Sequence, residues 1–103
     1  LVRPEFAMAQ SNKALVEYQL GELDQAQSDL RLIIRKYPMF ADARAALSAL
    51  LSHNGLKGEA ESHWAAAIGL DNRYKDRDWL SNIRRWPTTP INDLMDFLDL
   101  KVS

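Results

Sequence analysis

The chain has 103 residues, 47% hydrophobic and 26% charged, with a formal net charge of −1. That is one small domain, too apolar for intrinsic disorder and too weakly charged to bind nucleic acid by bulk positive charge. Cysteine is absent and no run approaches the ~18 apolar residues of a membrane span, so disulfides, thiolate zinc sites, cysteine nucleophiles and a spanning helix are excluded.

In chain order, residues 1–6 carry Val2, Pro4 and Phe6, the pattern that closes a helical unit, and predict at least one further unit upstream. Residues 7–20 place Ala7, Ala14, Leu15 and Tyr18 at helical spacing, and Gly21 offers the positive φ that ends a helix cheaply. Residues 23–36 follow as a second helix with Leu23, Ala26, Leu30, Ile33 and Ile34 on one stripe. Tyr37-Pro38 stops it, because the residue before proline avoids the α region. The plan then repeats: a helix over 41–53, a break at Asn54-Gly55, and a helix over 57–70. Residues 75–86 read as a shorter helix with Trp79, Leu80, Ile83 and Trp86 on one face. After Trp86-Pro87-Thr88-Thr89-Pro90, with Thr89 as N-cap, a last helix sets Ile91, Leu94, Met95, Phe97 and Leu98 on an apolar face and Asp93, Asp96 and Asp99 towards solvent.

A shift of 34 residues aligns Gly21 with Gly55, Ala26 with Ala60, Leu30 with Trp64, Ile34 with Ile68 and Phe40 with Tyr74. Internal repeats at such a period signal stacked supersecondary units. A 34-residue helix–turn–helix with a turn glycine, then alanine, then a bulky residue four later, resembles the tetratricopeptide repeat. The second unit matches better, through Leu47-Ser48, Gly55, Ala60, Trp64, Ala67, Leu70 and Asp71, with Asn72 in place of the usual proline. The first departs at Lys13, Glu17 and Ile33. The resemblance implies an all-α chain of about six helices, a right-handed solenoid of antiparallel helix pairs. Residues 1–6 would end an upstream repeat, 7–40 and 41–74 would form two repeats, and 75–103 a degenerate helix pair acting as cap. Trp79, Ile83 and Trp86 are expected to pack on Leu94, Met95 and Leu98, since a solenoid end needs covering. Trp64 is expected to be buried.

Catalysis finds no foothold. His53 and His63 lie ten residues apart across a turn, outside metal-site spacing, and the glycines at 21, 55, 58 and 69 form no phosphate loop. His53 is placed at a helix C-terminus and His63 on the surface. No cofactor or metal is implied. The basic residues 73, 75, 77, 84 and 85 alternate with Asp71, Asp76 and Asp78, which favours local salt bridges or a protein contact over RNA stacking.

The resemblance implies a non-enzymatic scaffold that binds a peptide or helix in a concave groove lined by the first helix of each pair. The candidate groove residues are Met8, Ser11, Asn12, Leu15, Tyr18 and Gln19, then Asp42, Ala45, Ala46, Ala49, Ser52 and His53, with Arg77, Arg84 and Arg85 as a second contact patch. The small residues of the second set leave room for a partner's bulky side chains. Ser11, Leu15 and Ala46 lack the Lys and Asn chemistry with which chaperone-binding members clamp a C-terminal carboxylate. Arg73-Tyr74, Trp79 and Arg84-Arg85-Trp86-Pro87, with the Leu-rich end, are similar to the tails of some tetratricopeptide proteins of cyanobacteria and plastids. That similarity implies a role in assembling photosynthetic membrane proteins at the thylakoid, with no small-molecule substrate. The alternative is an accessory helical domain of a larger enzyme or RNA-processing protein.

Overall fold

The structure, a computed structural model, describes residues 4–102. Six α-helices make up most of them: α1 (Pro4–Gln19), α2 (Leu23–Lys36), α3 (Ala41–His53), α4 (Lys57–Leu70), α5 (Arg77–Asn82) and α6 (Thr88–Val102). A 3₁₀ turn at Asn72–Lys75 joins α4 to α5, and there is no strand among the described residues. The all-α expectation holds at that level.

Helix α1 begins three residues before the predicted start. Proline tolerates a helix opening, because first-turn amides have no helical acceptor anyway. Pro4 and Phe6 therefore lie in the first described turn of α1; Val2 lies outside the described residues.

The two glycine turns are built alike, 34 residues apart. Gly21 has φ 85° and Gly55 φ 83°. After α1, Glu22 N donates to Glu17 O (2.9 Å) and Gly21 N to Tyr18 O (3.0 Å); after α3, Leu56 N donates to Leu51 O (2.9 Å) and Gly55 N to Ser52 O (3.0 Å). This is the paired bonding of a Schellman cap, which satisfies the last helical carbonyls and needs a left-handed residue. Consecutive helices joined by these turns pack on each other, α1 on α2 and α3 on α4.

Helix α3 is the centre. It packs against α1, α2, α4 and α6, and its residues from Asp42 to Leu51 are buried apart from half-buried Arg44. A helix apolar or small on every side has to be surrounded. Around it, Ala26, Leu30, Ile33 and Ile34 of α2 and Ala60, Trp64 and Ala67 of α4 complete one core. Trp64 is 6% exposed, buried as expected.

The C-terminal third departs from expectation. The helix predicted over 75–86 is broken because two aspartates restart the chain. Asp71 Oδ1 accepts from Arg73 N (3.1 Å), and Asp76 Oδ1 accepts from Asp78 N (2.9 Å) and Trp79 N (3.4 Å). Such side-chain caps compete with a continuous helix. After α5, Ile83 N and Arg84 N both donate to Trp79 O, Arg85 adopts φ 56°, and Trp86 N donates to Leu80 O (2.9 Å). The chain thereby reverses into α6, which starts at Thr88, so Thr89 lies inside the helix rather than capping it.

The expected cap is therefore assembled differently. Trp86 is buried and Trp79 half-buried, both against Tyr74, with ring centroids 6.0 Å and 4.8 Å away. Ile83, assigned to the same contact, is 66% exposed, because the turn after α5 carries it outward. Helix α6 lies against α3 and α1 as well as α5. It buries Ile91, Leu94 and Phe97 in the main core, with Met95 and Leu98 half-buried.

Candidate functional site

The residues predicted to line an open groove fall into three groups. Leu15, Tyr18, Ala45, Ala46 and Ala49 belong to the buried core, together with Ile91, Leu94 and Phe97 of α6. The α1/α3 face does hold a helix carrying bulky side chains, and that helix is the chain's own. Burial corrects the assignment of these five as residues open to a partner. Asn12, Gln19 and His53 are exposed, and Met8 and Ser52 half-buried, around that face.

Asp42 and Ser11 form the third group and are buried outright, Asp42 at 1% exposure. Asp42, read as a groove residue, is instead the acceptor at the centre of a polar cluster. Ser11 Oγ donates to its Oδ2 (2.5 Å); Tyr74 OH (2.9 Å), Trp86 Nε1 (3.0 Å) and Arg84 Nε (2.9 Å) donate to Oδ1, and a terminal Arg84 nitrogen lies 2.6 Å from the same oxygen. A buried carboxylate is tolerable only when paired and hydrogen-bonded in this way. Burial works against the charge of Arg84, but the Asp42 carboxylate beside it more than compensates, and the guanidinium stays above its ordinary range. Burial, then the Asp42 charge, pushes the Tyr74 hydroxyl well above its usual value, so it remains a donor.

This centre explains the spacing of the tail. Tyr74, Arg84 and Trp86 are 32, 42 and 44 residues from Asp42 in sequence and converge on one carboxylate oxygen. Arg84, predicted in a contact patch, is committed to this bond, and its Nη2 also donates to the Met8 sulfur (2.7 Å). Arg77 and Arg85 are exposed, and Arg77 donates to Asn92 of α6 (2.9 Å). Arg73 pairs with Asp71 (2.8 Å) and stacks 4.7 Å over Trp79, a local salt bridge of the predicted kind.

A second, smaller polar contact fastens α6. Asp93, expected in solvent, turns inward: Tyr18 OH donates to its Oδ2 (2.6 Å) and His53 Nδ1 lies 3.3 Å from the same atom. His53 is the last residue of α3. Burial, followed by the Asp93 hydrogen bond and charge, raises the Tyr18 hydroxyl far above its ordinary value. Gln19 Oε1 accepts from Thr89 N (2.7 Å), occupying a first-turn amide that α6 cannot satisfy itself. Periodicity on α6 could not have assigned Asp93 inward; its acidic side chain sits between apolar neighbours that face the core.

The remaining features carry no chemistry. A surface notch of about 340 Å³ between Met8, Met39, Phe40, Leu70, Trp79 and Arg84 includes four charged groups that pair as Asp42–Arg84 and Asp71–Arg73. His63, half-buried, lies 3.2 Å from an Arg44 nitrogen and 4.0 Å from Glu59; burial and then Arg44 lower its pKa. No three histidine, aspartate or glutamate residues among those described could share a metal ion. No helix among them is long and apolar enough to cross a membrane. No family model matches the chain, and no curated protein or solved structure does either.

Proposed function

We propose that this chain is a non-enzymatic docking scaffold, with α1–α2 and α3–α4 as two stacked tetratricopeptide-like helix pairs and the α1/α3 face as the surface that takes a partner helix. One observation carries the reading: that face already accommodates an amphipathic helix, α6, at full burial of Ile91, Leu94 and Phe97. The Schellman turns repeated 34 residues apart support the repeat assignment, and the small Ala45, Ala46 and Ala49 let a helix approach closely. The tail similarity to cyanobacterial and plastid proteins supports photosynthetic membrane proteins under assembly as the partner class.

The test is site-specific photo-crosslinking from the rim. A crosslinker at Asn12, exposed on α1, is compared with one at Arg35, exposed on α2 away from the face. The docking reading expects a helical segment of one protein species joined at position 12 and absent at position 35. Identical products from both positions exclude the α1/α3 face as the docking surface.

A further inference from the structure

We propose that α6 is a displaceable occupant of the α1/α3 face, and that the partner displacing it is an amphipathic helix carrying an acidic residue in the place of Asp93. The inference rests on the docking reading above and adds the partner's chemistry and its control.

The argument starts from what α6 is attached to. Trp86, just before it, is held by Asp42 through its indole nitrogen and by Leu80 O through its backbone, so the chain is anchored up to that residue whether or not α6 is seated. The connector to α6 is Pro87. Helices α1 to α4 pack on one another directly: α1 on α2, α2 on α3, α3 on α4. Ala26, Leu30, Leu47, Leu51, Ala60 and Trp64 come from α2, α3 and α4 and share one core with Ile91, Leu94 and Phe97 of α6. Displacement of α6 requires that one face be uncovered while the direct packing of α1 to α4 and the Asp42 centre hold.

The face specifies its occupant. Its floor is apolar, but Tyr18 OH donates to Asp93 Oδ2 and His53 Nδ1 lies 3.3 Å from the same atom. Tyr18 is 1% exposed, so a helix that brings no acceptor leaves a buried hydroxyl unsatisfied, which is costly. Around Asp93 the buried residues are Pro90, Ile91, Leu94 and Phe97. The fitting partner thus carries an acidic residue with apolar side chains two positions before it and one and four positions after it. A helix with lysine at the acidic position is refused. Because α6 presents this same pattern from within the chain, it competes at high effective concentration, and only a partner that matches the pattern better gains access.

The experiment uses the full chain and a fluorescent peptide of residues 88–102. In Asp93→Ala the resident helix loses its acceptor while the face keeps Tyr18 and His53. The peptide should bind this variant at least tenfold more tightly than it binds the unaltered chain, and a peptide bearing Asp93→Lys should bind neither. Amide hydrogen exchange on the unaltered chain supplies the independent measurement: α6 amides should exchange ahead of those of α3. If α6 and α3 exchange together, α6 opens only with global unfolding and the displaceable occupant is overturned; the docking reading is then judged separately by the crosslinking at Asn12, which reads the rim of the face whether or not α6 moves. If α6 exchanges early but the variant gains no peptide affinity, the α1/α3 docking reading fails and this inference with it.

Discussion

Two carboxylates, 51 positions apart, hold the C-terminal segment in opposite ways. Asp42 sits at 1% exposure and gathers donors from α1, the 3₁₀ turn and the two residues Arg84 and Trp86. Asp93 sits at the edge of α6, partly open to water, with a tyrosine and a histidine. A fully desolvated charge is strongly destabilising once a partner is lost, because what remains is buried and unpaired; a rim charge falls back on water. The first carboxylate fixes where the chain reverses. The second tunes how tightly one helix is held.

The difference can be measured. Asp42→Ala leaves the Arg84 guanidinium, two aromatic donors and the Ser11 hydroxyl without their common acceptor, and should cost about 4 kcal/mol in urea unfolding. A loss below about 1 kcal/mol would show that water reaches the centre and that the contrast with Asp93 is false. Tyr18→Phe, which removes one buried hydroxyl from the second contact, should cost about 1.5 kcal/mol, with faster amide exchange in α6 and unchanged exchange in α4. Equal acceleration in both helices would make the two contacts one cooperative unit.

The smallest effect concerns a third carboxylate that lacks what the other two have. Glu17 and Asp29 lie together between α1 and α2, each with one oxygen buried and without a hydrogen-bond partner; Lys13 lies 3.9 Å and 3.8 Å away, and Gln25 donates to the other Asp29 oxygen (2.9 Å). Burial first, then the neighbouring Asp29 carboxylate, raise the Glu17 pKa. A raised folded pKa contributes stability below the ordinary carboxylate value and loses it as pH rises through the folded one. Glu17→Gln should therefore stabilise the chain by about 0.5 kcal/mol at pH 7 and by nothing near pH 4, read from thermal unfolding at the two pH values. An unchanged melting temperature at pH 7 would mean that Lys13 already neutralises the pair.

Sequence reading succeeded where the physics is local. The bounds of α2 follow from Gly21 on one side and Tyr37-Pro38 on the other, and those of α3 and α4 from Asn54-Gly55 and Asp71, all signals within a residue or two of the element they end. It failed where a side chain's partner is distant. Asp42 on the first turn of α3 looks like a groove residue until Tyr74, Arg84 and Trp86 arrive from more than thirty residues away. The break between the 3₁₀ turn and α5 was legible in principle, since Asp71 and Asp76 are capping residues, but the apolar spacing of Trp79, Leu80, Ile83 and Trp86 argued for one helix. Periodicity assigns a face. It does not say which helix will cover it, and α6 covering α1 and α3 decides the state of the candidate site.

The methionines give the molecule an oxidation order. Met39, in the turn between α2 and α3, is 77% exposed and meets peroxide first, with no packing to lose. Met95, half-buried on α6, is shielded only while that helix is seated. Conversion to the sulfoxide makes an apolar side chain polar, so an oxidised Met95 would disfavour return to an apolar face. Limited peroxide treatment followed by peptide mass mapping would then record the history of the helix: Met39 marks exposure to oxidant, and a Met95 to Met39 ratio above that of a half-buried side chain would mark the displacement of α6 proposed above.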